Sequence, residues 1–161
     1  MIMSTRSRIG LQQADGKIKS VYCHWDGYPE GVGEILRKHY NSREKIEALL
    51  ELGDISALGT FYDKELAKEK WQHEYEKEWR ESEKGQKAQD LTLPYNDRGE
   101  DTEARIDENE EEFISKAGKC GEEYIYLFKE GYCWNDTERW FCMETPYFRE
   151  LDEILEDKEE A

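Results

Sequence analysis

The stretch STRSRIGLQQADGKIKSVYCHW, residues 4–25, decides the fold. Two β-prone runs, 4–11 and 17–25, flank Ala14-Asp15-Gly16, and Asp-Gly supplies the residues that tolerate positive φ in a tight turn, so the segment reads as a β-hairpin. Along the second run Ile18, Ser20, Tyr22 and His24 alternate with Lys19, Val21, Cys23 and Trp25, the pattern of an extended strand with two partly buried faces. A Gly/Pro-rich loop follows, Asp26-Gly27-Tyr28-Pro29-Glu30-Gly31-Val32-Gly33.

Moving outward, Val32, Ile35, Leu36 and Tyr40 recur at helical spacing. A second helix is expected over 43–52, capped by Asn41 or Ser42, lined by Ile46, Leu49 and Leu50, and ended by Gly53. Residues 54–59 read as an outward turn. The most polar stretch, 63–89, is rich in helix formers and predicts one long charged helix, docked or protruding, with Trp71, Tyr75 and Trp79 at i, i+4 and i+8 on one face. That stripe reads first as packing on its own domain and second as a partner or self-association face. An irregular segment, 91–101, precedes a short acidic helix over 107–117. Strands are expected at 123–128, 132–134 and 139–143, with a turn at 129–131. Thr145-Pro146 marks a helix start, with Phe148, Leu151, Ile154 and Leu155 as its buried stripe. The residues from 157 to 161 read as a frayed acidic tail. With strands and helices not alternating regularly, the expectation over 1–161 is a single α+β domain, an antiparallel sheet built from hairpins with helices on one face.

Composition limits the function classes. The 161 residues are 37% hydrophobic and 39% charged, with a formal net charge of −16. Such a surface disfavours nonspecific attachment to nucleic acid or to anionic membranes. The charge is uneven: residues 1–45 carry eight Lys/Arg against five Asp/Glu, whereas 100–123 carry ten acids against three bases. No apolar run reaches the length of a membrane span and no secretory signal pattern is present, so a cytoplasmic protein is expected, with Cys23, Cys120, Cys133 and Cys142 reduced. These cysteines and His24, His39 and His73 lack zinc-finger spacing, and neither a metal nor a cofactor is expected.

Three clusters hold the chemistry. The loop with Tyr22, His24, Trp25, Asp26 and Tyr28 sits at a strand-to-helix junction, which can present backbone N–H groups to an anion and aromatic faces to a ring. It matches neither GxGxxG nor a P-loop. Cys23 and His24 should point to opposite faces, which separates thiol from imidazole, whereas His24 and Asp26 share a face and can orient a proton. The plainer alternative is that both satisfy turn hydrogen bonds. In the second cluster Arg98, bracketed by Asp97 and Glu100, forms either a structural ion-pair network or a phosphate or carboxylate contact, with Arg6 as a further basic donor. The third, Glu110, Glu111 and Glu112, reads as a solvated face or as mimicry of a phosphate backbone. No Ser/His/Asp order, HExxH, EF-hand loop or distinct carboxylate pair stands out, so catalysis is not the first expectation.

The segments Ser4-Thr5-Arg6-Ser7-Arg8-Ile9-Gly10 and Tyr22-Cys23-His24-Trp25-Asp26-Gly27-Tyr28-Pro29-Glu30-Gly31-Val32-Gly33 resemble the N-terminal signature of small proteins carried by bacteriophages, prophages and other mobile elements. Asn96-Asp97-Arg98-Gly99-Glu100 and Tyr124-Ile125-Tyr126-Leu127-Phe128 look like later parts of that pattern. The resemblance implies a product of a genetic parasite inside a bacterial host, where small acidic proteins often bind and block defence systems. The leading expectation is an acidic, noncatalytic inhibitor of a host defence protein, a nuclease or related complex. It would use Glu110 to Glu112 or the Trp71/Tyr75/Trp79 face. The alternative is a protein that sequesters or hydrolyses a nucleotide-like molecule at the Tyr22 loop. A homo-oligomer is compatible with either.

Overall fold

The computed structural model describes residues 4–131, 137–144 and 147–160. The opening hairpin forms as β1 (Ser7–Gln12) and β2 (Ile18–Cys23), with Ser7 opposite Cys23 and Gln12 opposite Ile18. Its turn uses Gly16 at φ +87°, and Asp15 Oδ1 accepts from the Lys17 N–H at 3.0 Å. The Gly/Pro loop becomes a π-helical turn, Pro29–Gly33, that runs into α1 (Glu34–His39). Ser42 caps α2 (Arg43–Leu50), accepting from the Lys45 N–H. The segment read as an outward turn is instead a buried strand, β3 (Ile55–Ala57).

The single long helix expected over 63–89 is three helices: α3 (Lys64–His73), α4 (Lys77–Glu81) and α5 (Glu83–Lys87). Two local causes break it. Glu76 is extended after α3, and Ser82 leaves the helical region so that its hydroxyl can cap α5 at the Gly85 N–H. Hydroxyls that offer the backbone this local alternative compete with helix propagation. Gly85 is needed there, since a Cβ would lie 2.0 Å from the Trp79 carbonyl oxygen. Trp71 and Trp79 both pack on a satellite core of Leu66, Ala67, Ala88, Leu91 and Leu93, while Tyr75, in the break, is 88% exposed. The three aromatics therefore do not form one stripe.

Then come β4 (Leu93–Pro94), a 3₁₀ turn over Tyr95–Arg98, β5 (Arg105–Asp107) and α6 (Glu110–Cys120), the last capped by Asn109. The chain ends in β6 (Tyr124–Glu130), β7 (Glu138–Glu144), β8 (Tyr147–Glu150) and α7 (Leu151–Glu160). Lys129 and Glu130, read as a turn, continue β6; the strand expected at 132–134 and the cap at Thr145-Pro146 lie outside the described residues. Phe148 belongs to β8, and residues 157–160 of the segment expected to fray continue α7, where Asp157 pairs with Arg149 and Lys158 with Glu30.

The α+β class holds in one domain, with a mixed eight-stranded sheet in the order β4-β3-β2-β1-β6-β7-β8 and β5 pairing with the start of β2. Two junctions are parallel rather than antiparallel: β1 with β6, and β2 with β3. Helices also cover both faces. The main core joins Ile9, Leu11, Val21, Tyr126, Phe128 and Trp140 to α1, α2 and α7, whereas Phe113 and Ala117 of α6 close the opposite face over Ile18, Ile125 and Leu127. The apolar run of β6 explains this, since Ile125 to Phe128 are buried whichever way they point.

Candidate functional site

Beyond the C-terminal ends of the parallel pair β2 and β3 the sheet opens into a cleft of about 480 Å³. Four separate stretches line it: His24, Trp25 and Asp26; Ser56 and Ala57; Lys70, Trp71, Glu74 and Tyr75; and Leu93, Tyr95 and Arg98. The first is fixed by continuation of the sheet, with the His24 and Trp25 N–H groups donating to the Ile55 and Ser56 carbonyls at 3.2 and 3.0 Å. Asp26 then turns the chain at φ +56°, a left-handed conformation that aspartate tolerates better than most residues.

The opposite wall is a stack. Trp71 and Tyr95 lie with ring centroids 5.7 Å apart and planes 27° apart, and the Arg98 guanidinium sits 4.6 Å from the first centroid and 5.0 Å from the second. Trp71 is locked by its indole N–H, which donates to the Pro94 carbonyl at 2.8 Å. Nε and Nη2 of Arg98 donate to Glu100, whose carboxylate is held below its usual pKa by that pairing. Lys70 Nζ donates to the Ala88 carbonyl, and burial lowers its pKa.

His24 meets the cleft with its Nδ1 against a phenol. Tyr22 Oη lies 2.6 Å from His24 Nδ1, and burial pushes the phenol up to about 12, so the phenol keeps its proton. A phenol that keeps its proton can give it to Nδ1, and a neutral imidazole that accepts there carries its own hydrogen on Nε2. Burial and then the nearby Arg6 charge lower the imidazole pKa. In that arrangement Nε2–H is the donor and Nδ1 is engaged by the phenol. In ¹⁵N-resolved NMR at pH 7.5, His24 is expected as the neutral Nε2–H tautomer. Because its folded pKa lies below the unfolded value of about 6.5, the folded state binds fewer protons, so His24 reduces stability as the pH falls below about 6.5. A His24→Gln variant should flatten that part of the stability profile in urea titrations; an unchanged slope would remove His24 as its source.

Cys23 is fully buried on the other face of its strand, and burial pushes its thiol up to about 12, which leaves no thiolate for nucleophilic chemistry. The separation of Cys23 from His24 is as their spacing predicts.

The other expected site residues divide. Tyr28 lies beside the cleft and donates to Asp26 Oδ1 at 3.3 Å, and Asp97 accepts from Tyr62 at 2.6 Å. Arg6 lies outside the lining. The junction's expected anion nest is filled by the chain itself, since the N–H groups of Gly27, Gly31 and Val32 donate to the carbonyls of Thr5, Tyr28 and Asp26. Glu110, Glu111 and Glu112 open α6, away from the cleft lining; Glu110 pairs with Lys129, and Glu112 with Lys116. Lys70, Glu74, Ser56 and Tyr95 went unread as site residues. The pairing of Tyr95 with the neighbouring Arg98 was the one local hint. Among the described residues no group of three or more His, Cys, Asp or Glu side chains is placed to hold a metal ion, and no helix is long and apolar enough to cross a membrane.

No protein-family model, curated protein or solved structure matches the chain.

Proposed function

We propose that this chain is a noncatalytic binding protein that holds a nucleotide-like small molecule, a flat ring bearing an anionic group, in the cleft between Trp25 and the Trp71–Tyr95–Arg98 stack. Acting in the bacterial cytoplasm as the product of a phage or related element, it would sequester a molecule on which host defence depends. One observation carries the reading: of the five exposed large apolar side chains described, Trp25 and Tyr75 line this cleft, and Tyr28 and Tyr62 are bonded to acids beside it. Aromatic faces with a cation over them suit a ring and its charged substituent, and the cleft falls within the roughly 300–1,000 Å³ of small-molecule sites. The engaged nitrogen of His24 favours holding over turnover.

Isothermal titration against nucleosides and nucleotides tests this. Binding is expected with quenching of tryptophan fluorescence, and Arg98→Ala should weaken it by about 10-fold to 100-fold, the range for loss of a charged hydrogen bond. Absence of heat across the whole panel would overturn the reading.

Direct inhibition of a host protein is the second reading. Exposed Trp, Tyr and Arg side chains at one rim are the types that dominate protein–protein hot spots. Phosphate mimicry by α6 has less support, because two of its three leading acids already have cationic partners.

A further inference from the structure

We propose that Glu100 is an internal anion at the rim of the cleft, occupying the Arg98 edge that the ligand's phosphate takes over, and that this makes the site selective for ligands carrying at least two negative charges. The proposal rests on the cleft being a ligand site. Arg98 is rigid on one side and exchangeable on the other. Its guanidinium carbon lies against both the Trp71 and the Tyr95 rings, which fixes where the guanidinium sits. Its Nε and Nη2 edge is spent on the Glu100 carboxylate, and the two side chains are 49% and 39% exposed. Among the described residues Arg98 is the one side chain that holds the Glu100 carboxylate, which is otherwise met by its own backbone N–H. Between the two stands Gly99, at φ +118° and with open space around it, so the carboxylate can leave without dragging the stack.

An incoming anion must displace this carboxylate or sit beside it. A singly charged group offers the guanidinium no more than Glu100 already does. A doubly charged phosphate brings more oxygens and a stronger field, and displaces it. Glu74 and Asp26, which also line the cleft, oppose weakly charged anions that gain too little from Arg98, and Lys70 adds the second cation. Neutral nucleosides gain only the ring contacts.

The test compares the wild-type protein with Glu100→Gln, a swap that keeps the shape and removes the charge. Titrations use the nucleosides, 3′,5′-cyclic monophosphates and 5′-monophosphates of adenine, guanine, cytosine and uracil. For the base that binds, the wild type should prefer the doubly charged 5′-monophosphate over the singly charged cyclic form. Glu100→Gln should tighten the cyclic form by roughly fivefold and the 5′-monophosphate by only about twofold, leave the nucleoside unchanged and so narrow the preference, since freeing an exposed ion pair has effects of that order. Equal melting temperatures would show that the variant is folded. If nucleotides bind but the variant binds them equally or more weakly, Glu100 merely positions Arg98 and the proposal is overturned. If neither protein binds any of the panel, the ligand reading of the cleft itself fails, and the proposal with it.

Discussion

Glu122→Ala is expected to remove about 3–5 kcal/mol of unfolding free energy, the cost of leaving a buried charge without its partner. Arg8 of β1 points into the α6 side of the sheet, where Nε donates to Glu122 Oε1 at 2.8 Å and Nη1 donates to Ser20 Oγ at 2.9 Å. The two charged side chains are 9% and 1% exposed. With Glu122 truncated, the guanidinium keeps one neutral hydrogen bond and must either stay uncompensated or pull its surroundings open to water. The double variant Arg8→Met/Glu122→Leu should recover most of the loss, because removing both charges removes the desolvation cost with them. Urea titrations at constant m-value are the measurement. A Glu122→Ala loss under about 1 kcal/mol would mean that water already reaches Arg8.

Gly31→Ala comes next, with an expected loss of about 2–3 kcal/mol, at the upper end of overpacking costs. A Cβ on residue 31 would lie 2.3 Å from the Asp26 carbonyl oxygen and 3.1 Å from a Tyr28 ring carbon. That carbonyl cannot yield easily, since it accepts the Val32 N–H at 2.8 Å and follows directly on the left-handed turn at Asp26. The melting temperature should fall by about 5–10 °C for a domain of this size. Gly118→Ala is the control. It lies exposed within α6 with open space around it and should gain about 0.5–1 kcal/mol from helix propensity alone. Equal melting temperatures for the two variants would show that the loop backbone relaxes around the added methyl.

What could be read from the chain depended on how local its cause was. The first hairpin was legible because Asp15-Gly16 makes its own turn, and α2 because Ser42 and the Ile46/Leu49/Leu50 stripe mark its start and inner face. β3 and β4 span three and two residues, too few for any periodicity to show, and they are strands because β2 gives β3 a partner and β3 gives β4 one. The break of 63–89 depends on Ser82 and on Gly85 fitting against the Trp79 carbonyl, a contact with no counterpart in helix propensity. The candidate site behaves likewise. His24, Trp25, Asp26 and Arg98 stand out in the sequence as parts of one binding set, whereas Trp71 and Tyr75 read as packing or as a partner face. Only the β2–β3 pairing and the bent helical arm bring them to one cleft. Lys70 and Ser56 carry no local mark, since one lies in a charge-balanced run and the other in a segment mistaken for a turn.

The parallel junction between β1 and β6 also constrains the order of events during synthesis. Arg8 and Glu122, which meet beside that junction, are 114 positions apart. While the ribosome is still translating the middle of the chain, the β1 edge of the first hairpin is unpaired and Arg8 has no counter-ion. The hairpin's apolar residues wait until β6 emerges. Proteins dominated by such distant pairings fold slowly, and here the exposed edge is the hairpin that later carries His24 and Trp25. Nascent chains are therefore most open to capture by chaperones or to mispairing over that interval, even though every residue that lines the cleft, from His24 to Arg98, has by then been made.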